Sequence, residues 1–377
     1  MTISRLKTLL EDPLNDLVEQ AMDSGGIPIG YTCSHVPEVL LTLPPLFPLR
    51  MRAPGVGGTE MADIYQSNLN CSYTRSLLEF AMDLRYDFLG GWVHAASCDH
   101  LRRLHDNLDY LAPPEFSHVL DVPHRLSRTA VDWFVEDLQK FIDHLVSHFG
   151  VDASSAAITQ AIIRHNAFMK TLQLIGDLRK RPDPPLTGTE FHILMTAATS
   201  SPRDLIEPQL EDIRKALQQK ESGHSGRARL MIVGGQLDDP CYIETIESTG
   251  AIVVADRICT GSIPGLTPIP VRTDDPSYDP IRTIAEHTLG TPSCPRMMED
   301  FDKRLAQILE TARTYKVDGI IIEWIKFCDT WGVEIGALAP ALRDAGYRVL
   351  CLEREYRRAG EGQLQTRVQA FLESMGQ

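Results

Sequence analysis

No stretch of this 377-residue chain approaches the roughly 20 consecutive apolar residues that a membrane helix needs. The opening segment, Met1 to Glu19, mixes acidic side chains among its leucines. It lacks the basic start and small-residue cleavage site of a signal peptide, so a cytoplasmic location is expected. No G-x-x-x-x-G-K-[ST] segment occurs, which excludes a P-loop. Gly55-Val56-Gly57-Gly58 departs from the dinucleotide fingerprint and reads as a surface turn. The H-E-x-x-H and G-x-S-x-G patterns are missing too, removing the common zincin and hydrolase readings. Gly223-His224-Ser225-Gly226 lies in a polar loop without the elbow pattern. Basic residues are in deficit: 37 Lys and Arg stand against 51 Asp and Glu, for a formal charge of −14. A nucleic-acid footprint needs clustered Lys and Arg, so that class of partner is disfavoured.

What is present is a globular composition, 43% hydrophobic and 23% charged, at a length suited to two domains. Apolar runs predict strands at Ile27–Cys33, Leu46–Arg52, Phe88–Ala96 and Ser117–Val122, with helices at Ser72–Met82, Asp99–Leu111 and Arg128–Phe149. A second block predicts strands Arg229–Gly235, Ala251–Asp256, Asp318–Ile325 and Tyr347–Glu353. Its helices are Tyr242–Ser248, Met297–Tyr315, Glu334–Ala345 and Leu364–Met375. Apolar strands alternating with helices imply parallel sheets covered on both faces. The expected fold class is therefore α/β, with two parallel-sheet, flavodoxin- or Rossmann-like domains. Ser154–Arg181 and Asp204–Glu221 form a helical connection. The proline cluster after Arg181 breaks that stretch, so the division is placed between residues 1–185 and 186–377.

Cysteines are the chemical candidates. Eight are spread over the chain, at 33, 71, 98, 241, 259, 294, 328 and 351. In a reducing compartment they serve packing, catalysis or metal rather than disulfides. No C-x-x-C pair occurs, which argues against a zinc ribbon, so any metal site is assembled from distant segments. An internal echo singles out two of them. The strand Gly91–Ala96 runs into Ser97-Cys98-Asp99 and a helix, and Ile320–Ile325 runs into Phe327-Cys328-Asp329 and a helix. Ligands of open α/β sheets sit beyond the carboxyl ends of strands, which is where both cysteines fall. The Asp after each is a candidate cap for the following helix. Cys71 stands at the start of another helix, where a thiol pKa is lowered. On position alone, small buried hydrophobes remain an equal reading.

Five segments in order add a resemblance: Gly30-Tyr31-Thr32-Cys33-Ser34-His35-Val36-Pro37-Glu38, Asn70-Cys71-Ser72 with Arg75, Ser97-Cys98-Asp99, Lys326-Phe327-Cys328-Asp329, and the tail Gly362–Phe371. Over nearly its whole length the chain resembles the 2-hydroxyacyl-CoA dehydratases and ATP-dependent benzoyl-CoA reductases, and its size matches their smaller subunit. It departs from them after Glu38, where Leu40-Leu41-Thr42 replaces an alanine-glycine pair. The resemblance implies a [4Fe-4S] cluster on Cys71, Cys98 and Cys328, with one iron left open as a Lewis acid. It implies one-electron ketyl-radical chemistry on an acyl-CoA thioester. A separate iron–sulfur ATPase activator and either a larger homologous subunit or a second copy of the chain would be the partners. Catalytic acid–base residues are not identified.

Some members of that superfamily hold a double-cubane [8Fe-9S] cluster on about six cysteines. Cys33, Cys259 and Cys294, each at an element end, are the possible additional ligands here. Because only the trio rests on widely shared motifs, a single cluster is the expectation. A purely electron-relaying subunit, a homodimeric double-cubane reductase of small molecules, and a metal-free binding module stay open. Cys241 reads as structural and Cys351 as core. Glu323, inside an apolar strand, must be paired or face the site, with Lys326 as the candidate partner. Arg75 either neutralises cluster charge or faces solvent. His94, His100 and His105 are candidates for a polar supporting role, with packed or solvated rings the commoner case.

Overall fold

The computed structural model describes residues 2–221, 223–263, 267–291 and 294–376. Its eight strands form two parallel sheets of four. The first holds β1 (Ile27–Tyr31), β2 (Leu46–Arg50), β3 (Gly91–Ala95) and β4 (Ser117–Leu120) in the order β2-β1-β3-β4. The second holds β5 (Arg229–Gly234), β6 (Ile252–Arg257), β7 (Gly319–Ile325) and β8 (Arg348–Arg354) in the order β6-β5-β7-β8. The expected α/β architecture of two parallel-sheet domains is thus present. Strands β2, β3 and β6 are buried at every position, as parallel strands covered on both faces must be. Edge strands β4 and β8 are only partly buried.

Helices clothe both sheets. Ser72–Met82, Asp99–Leu111 and Arg128–Phe149 follow the first block, and Phe301–Thr314, Asp329–Asp344 and Glu361–Ser374 the second. Between them a helical layer gathers Ser155–Asp177, Gly188–Thr199 and Arg203–Gln219 with the N-terminal helices Ile3–Thr8 and Asp16–Asp23. Leu6, Leu10, Phe168, Ile175, Phe191 and Leu194 interlock there. Helix Pro280–Gly290 crosses back and joins Ile284 and Leu289 to the core that Phe134 and Leu138 of helix Arg128–Phe149 share with the first sheet. After Pro37 the chain forms a short 3-10 segment, Glu38–Thr42.

Strand order reverses between β1 and β3 and between β5 and β7, the place where open α/β sheets bind ligands. Contacts between the two sheets come from the segments just beyond these carboxyl ends. The Ala53 N–H donates to the Tyr356 hydroxyl at 3.0 Å, and the Tyr356 N–H donates to Ser72 Oγ at 2.8 Å. Tyr356 donates in turn to Asp238 at 2.7 Å, and Arg52 stands 3.5 Å from the same carboxylate. The two carboxyl edges therefore face one another, and the loops between them form the interior of the molecule.

Candidate functional site

Cys71, Cys98 and Cys328 are each the N-cap residue of a helix: Ser72–Met82, Asp99–Leu111 and Asp329–Asp344. None caps through its side chain, whereas Asn15, Ser127 and Thr187 do at other helices. Each sulfur stands at a helix N-terminus, whose partial positive charge and nearby backbone N–H groups, those of Thr74, Leu101 and Trp331, favour an anion. The Thr74 and Thr330 hydroxyls lie 3.7 and 3.5 Å from Cys71 and Cys328. The capping role expected of the Asp after Cys98 and Cys328 is corrected: Asp99 and Asp329 lie one residue inside their helices. Phe327, in left-handed backbone at φ 66°, turns the chain from β7 to Cys328, a conformation uncommon outside glycine.

His100 ties this arrangement together. Its Nδ1 accepts the Cys71 N–H at 3.2 Å, and its Nε2 stands 3.6 Å from Asp329. Nδ1 accepting places the ring proton on Nε2, facing that carboxylate. One imidazole on the Cys98 helix therefore locates the other two helix starts. His94 meets Thr32 Oγ1 at 3.2 Å, and His105 pairs with Asp109 at 3.4 Å. Arg75 neither faces solvent nor stands as a free cation. It donates to Asp63 at 2.8 Å, Thr59 at 3.0 Å and the Asn70 carbonyl at 3.1 Å, bracing the loop before Cys71.

The other three cysteines approach the same interior. Cys33 follows β1, Cys259 follows β6, and Cys294 precedes Pro295. Burial raises the Cys98 thiol pKa, and the charges of Cys71, Cys328 and Cys33 raise it further. Cys294 is pushed up to about 12 by burial and then by Cys33, Cys259 and Cys328. Cys71 and Cys259 reach about 11, again mainly through burial. These couplings join all six thiols into one nest. Cys33 is the exception in sign. Burial pushes it up, but His35, whose Nδ1 lies 3.7 Å from the sulfur, and the Ser97 hydroxyl bring it down to about 6. Cys71 is buried and the other five are partly accessible, as expected of side chains lining a narrow interior space.

Among the described residues no three His, Cys, Asp or Glu side chains are gathered closely enough for a single metal ion. A cluster makes a different demand, because its thiolates bind separate irons and so stand apart. Soft sulfur donors on helix starts, buried at Cys71 and partly accessible at Cys98 and Cys328, fit such a group. Cys351 lies on β8 against the second sheet's core. Cys241 opens helix Pro240–Glu247, its N–H held by the Asp239 carboxylate at 3.0 Å.

Glu323 is fully buried, and its partner is Arg354 at 2.6 Å, not Lys326, whose ammonium stands over the Phe327 ring at 5.1 Å. Gly234 is required beside it, since any Cβ there would collide with the Glu323 carboxylate. Next to the nest lies a pocket of about 60 Å³ bounded by Tyr31, Ser34, Glu38, Arg50 and His165. Tyr31 donates to Glu38 at 2.5 Å and Arg203 does so at 2.6 Å. Burial pushes Glu38 up, but the Arg203 charge foremost, with the Tyr31 hydrogen bond and Arg50, outweighs it and keeps the group an anion. Sequence reasoning passed over this pocket, and Arg50 and Arg296 beside the thiols. The one available signal was a cation closing an apolar strand at Arg50.

A family profile described as 2-hydroxyglutaryl-CoA dehydratase, D-component, matches residues 33–375. The chain is 24% identical to the (R)-phenyllactyl-CoA dehydratase beta subunit of Clostridium sporogenes, over 98% of this chain and 97% of that one. It is 22% identical to one subunit of the benzoyl-CoA reductase of Thauera aromatica, over 80% and 78%. A putative dehydratase subunit of Escherichia coli K12, YjiM, is 26% identical over 75% and 73%. Among the described residues no helix is long and apolar enough to cross a membrane.

Proposed function

Because the chain belongs to the 2-hydroxyglutaryl-CoA dehydratase D-component family, we propose that it is the iron–sulfur subunit of an ATP-dependent reductase or dehydratase of acyl-CoA thioesters. Cys71, Cys98 and Cys328 hold a [4Fe-4S] cluster in this reading. The observation that carries it is the convergence of three thiols, each at a helix N-cap, between two facing sheet edges. When bound, such a cluster supplies single low-potential electrons for ketyl-radical chemistry, and an iron without a protein ligand is a Lewis acid.

The chain's own residues do the rest. His100 keeps Cys71 and Asp329 in register. The pocket at Ser34 and Arg50 is the adjoining space for a substrate's reacting end, with Tyr31 and Glu38 as its acid–base pair. The sequence carries no P-loop, in keeping with ATP hydrolysis on a separate activator. A larger homologous subunit or a second copy completes the assembly, in keeping with relatives named as subunits.

A second form of this reading is favoured by the six-thiol nest. Cys33, Cys259 and Cys294 couple to one another and to the trio, a donor set large enough for a double-cubane [8Fe-9S] group. Anaerobically prepared protein should contain iron and acid-labile sulfide and show no ATPase activity alone. Its substrate reduction should require an activating ATPase and a strong reductant. Protein free of iron and sulfide after anaerobic reconstitution would sink both forms.

A further inference from the structure

Arg52, Arg179 and Arg304 are buried and Arg354 nearly so, and each reaches a carboxylate: Asp238 at 3.5 Å, Asp256 at 2.9 Å, Glu334 at 2.7 Å and Glu323 at 2.6 Å. Arg50 and Arg296 break that pattern. They are 4% and 2% exposed, and neither has an ion-pair partner among the described residues. The remaining residues include no Asp or Glu.

Arg50 donates only to neutral groups: Ser34 Oγ at 3.0 Å, the Cys259 carbonyl at 2.8 Å, the Thr32 carbonyl at 3.4 Å and Gln236 Oε1 at 3.1 Å. Arg296 donates to the Pro123 carbonyl at 2.7 Å, to the Val122 carbonyl and weakly to Met297 Sδ at 3.7 Å. In both, Nε has no acceptor. An ion this deeply desolvated is costly unless an opposite charge is near. Carbonyl dipoles alone do not supply one. Thiols stand foremost among the groups near both cations, and the Tyr31 ring lies 5.8 Å from Arg50. Cys259 and Cys33 act on Arg50, with the Tyr31 and Tyr73 phenols, while Cys33, Cys294 and Cys98 act on Arg296, Asp121 being a lesser influence. Glu38 also feels Arg50, but its hydrogen bonds go to Arg203 and Tyr31. Cys33 therefore lies within reach of both guanidinium groups.

We propose that Arg50 and Arg296 are the built-in counter-cations of a polyanionic group held on the Cys33 side of the thiol nest, and that they set its reduction potential. This rests on the iron–sulfur reading above. Reduction adds one electron to a group already negative, and two fixed cations in a low-dielectric interior stabilise the reduced form. They also localise the charge. Both lie near Cys33, Arg50 also near Cys259 and Arg296 near Cys294 and Cys98, so the bound group would reach beyond Cys71 and Cys328 toward the second set of thiols.

The test is an anaerobic redox titration of the iron-loaded full chain with low-potential viologen mediators, followed by its electron paramagnetic resonance signal, with iron counted in each variant. Arg50→Gln and Arg296→Gln should each lower the reduced-to-oxidised ratio at fixed poise at least tenfold, about 59 mV for a one-electron couple. Arg50→Lys and Arg296→Lys should stay close to wild type. Loss of iron in the Gln variants with retention in the Lys variants supports the same conclusion, since charge is then what holds the group. Unchanged potentials in iron-retaining Gln variants would overturn the proposal, as would Lys variants that fall as far as Gln, because hydrogen bonding would then be the role. A wild-type chain that binds no iron or sulfide removes the earlier reading instead, and this one with it.

Discussion

Cysteine is a poor choice for a helix N-cap, where Ser, Thr, Asp and Asn accept a backbone N–H. Three such positions in one chain, none closing a side-chain cap of normal hydrogen-bond geometry, suit a sulfur that serves another partner. Opposite effects on fold and iron follow. Cys71→Ser, Cys98→Ser and Cys328→Ser should each lose most bound iron and the brown absorbance. The metal-free chain should meanwhile hold its denaturant midpoint or gain up to about 1 kcal/mol from the better cap. Full iron retention in any one variant would remove that residue from the ligand set. Cys351→Ala should keep its iron, with only the modest cost of trimming a small core side chain. These cysteines were legible because they close strands and open helices, a pattern visible in one dimension. Arg354 was not legible as the partner of Glu323. Residues three apart on a strand point to opposite faces, so Lys326 was misplaced from the start. Arg354 arrives from the neighbouring strand, where Glu323 pairs with Leu352 and Arg354 lies two residues on.

Among the elements, all eight strands were legible, because buried parallel strands are short, near-continuous apolar runs. Their expected ends run past the ladders: Cys33 for Tyr31 in β1 and Arg52 for Arg50 in β2. The backbone stays extended there while leaving the sheet, and those extra residues carry the site. Helix Gly188–Thr199 went unread since nearly its whole circumference is buried, leaving no polar face to set a period. Its Thr187–Glu190 capping box was the available signal. Asp279-Pro280 likewise announced helix Pro280–Gly290. The Arg354–Glu323 pair joins β8 to β7, and Arg354 also donates to the Gln236 carbonyl beyond β5. Arg354→Leu strands a fully buried carboxylate, which should cost about 3–5 kcal/mol. Arg354→Leu with Glu323→Leu should recover much of that loss in denaturant unfolding. A single variant as stable as wild type would show that the pair holds nothing together.

At the scale of the molecule, two sheets of identical strand order oppose their carboxyl edges, and the sequence pattern shows what is buried but not against what. That is why the return of helix Pro280–Gly290 to the first sheet, and with it Cys294 to the nest, could not be read from hydropathy. Global stability should also fall in acid. Burial holds His94 and His165 down at about 3 and His192 at about 4, so the unfolded chain binds protons below about pH 6.5 that the folded chain refuses. Each ring then costs about 1.4 kcal/mol per pH unit below that point. The denaturant midpoint of the metal-free chain should drop clearly between pH 7.5 and 5.5, and a flat profile would contradict neutral buried rings. The form of the proposed cluster also sets how much iron one chain would carry. One cubane on Cys71, Cys98 and Cys328 gives about four irons, and a fused pair drawing on Cys33, Cys259 and Cys294 gives about eight. Motif matching alone favours four. The second form of the proposal takes eight, drawing on the electrostatic reach among all six thiols and on the two arginines without a carboxylate toward Cys33. Anaerobic preparations should therefore approach eight irons per chain. Cys33→Ser, Cys259→Ser and Cys294→Ser should each lower the count toward four without emptying the site, whereas a trio variant loses most of it. A wild-type count near four that none of these three substitutions changes would restrict the cluster to Cys71, Cys98 and Cys328, leaving the second set of thiols to line the substrate pocket.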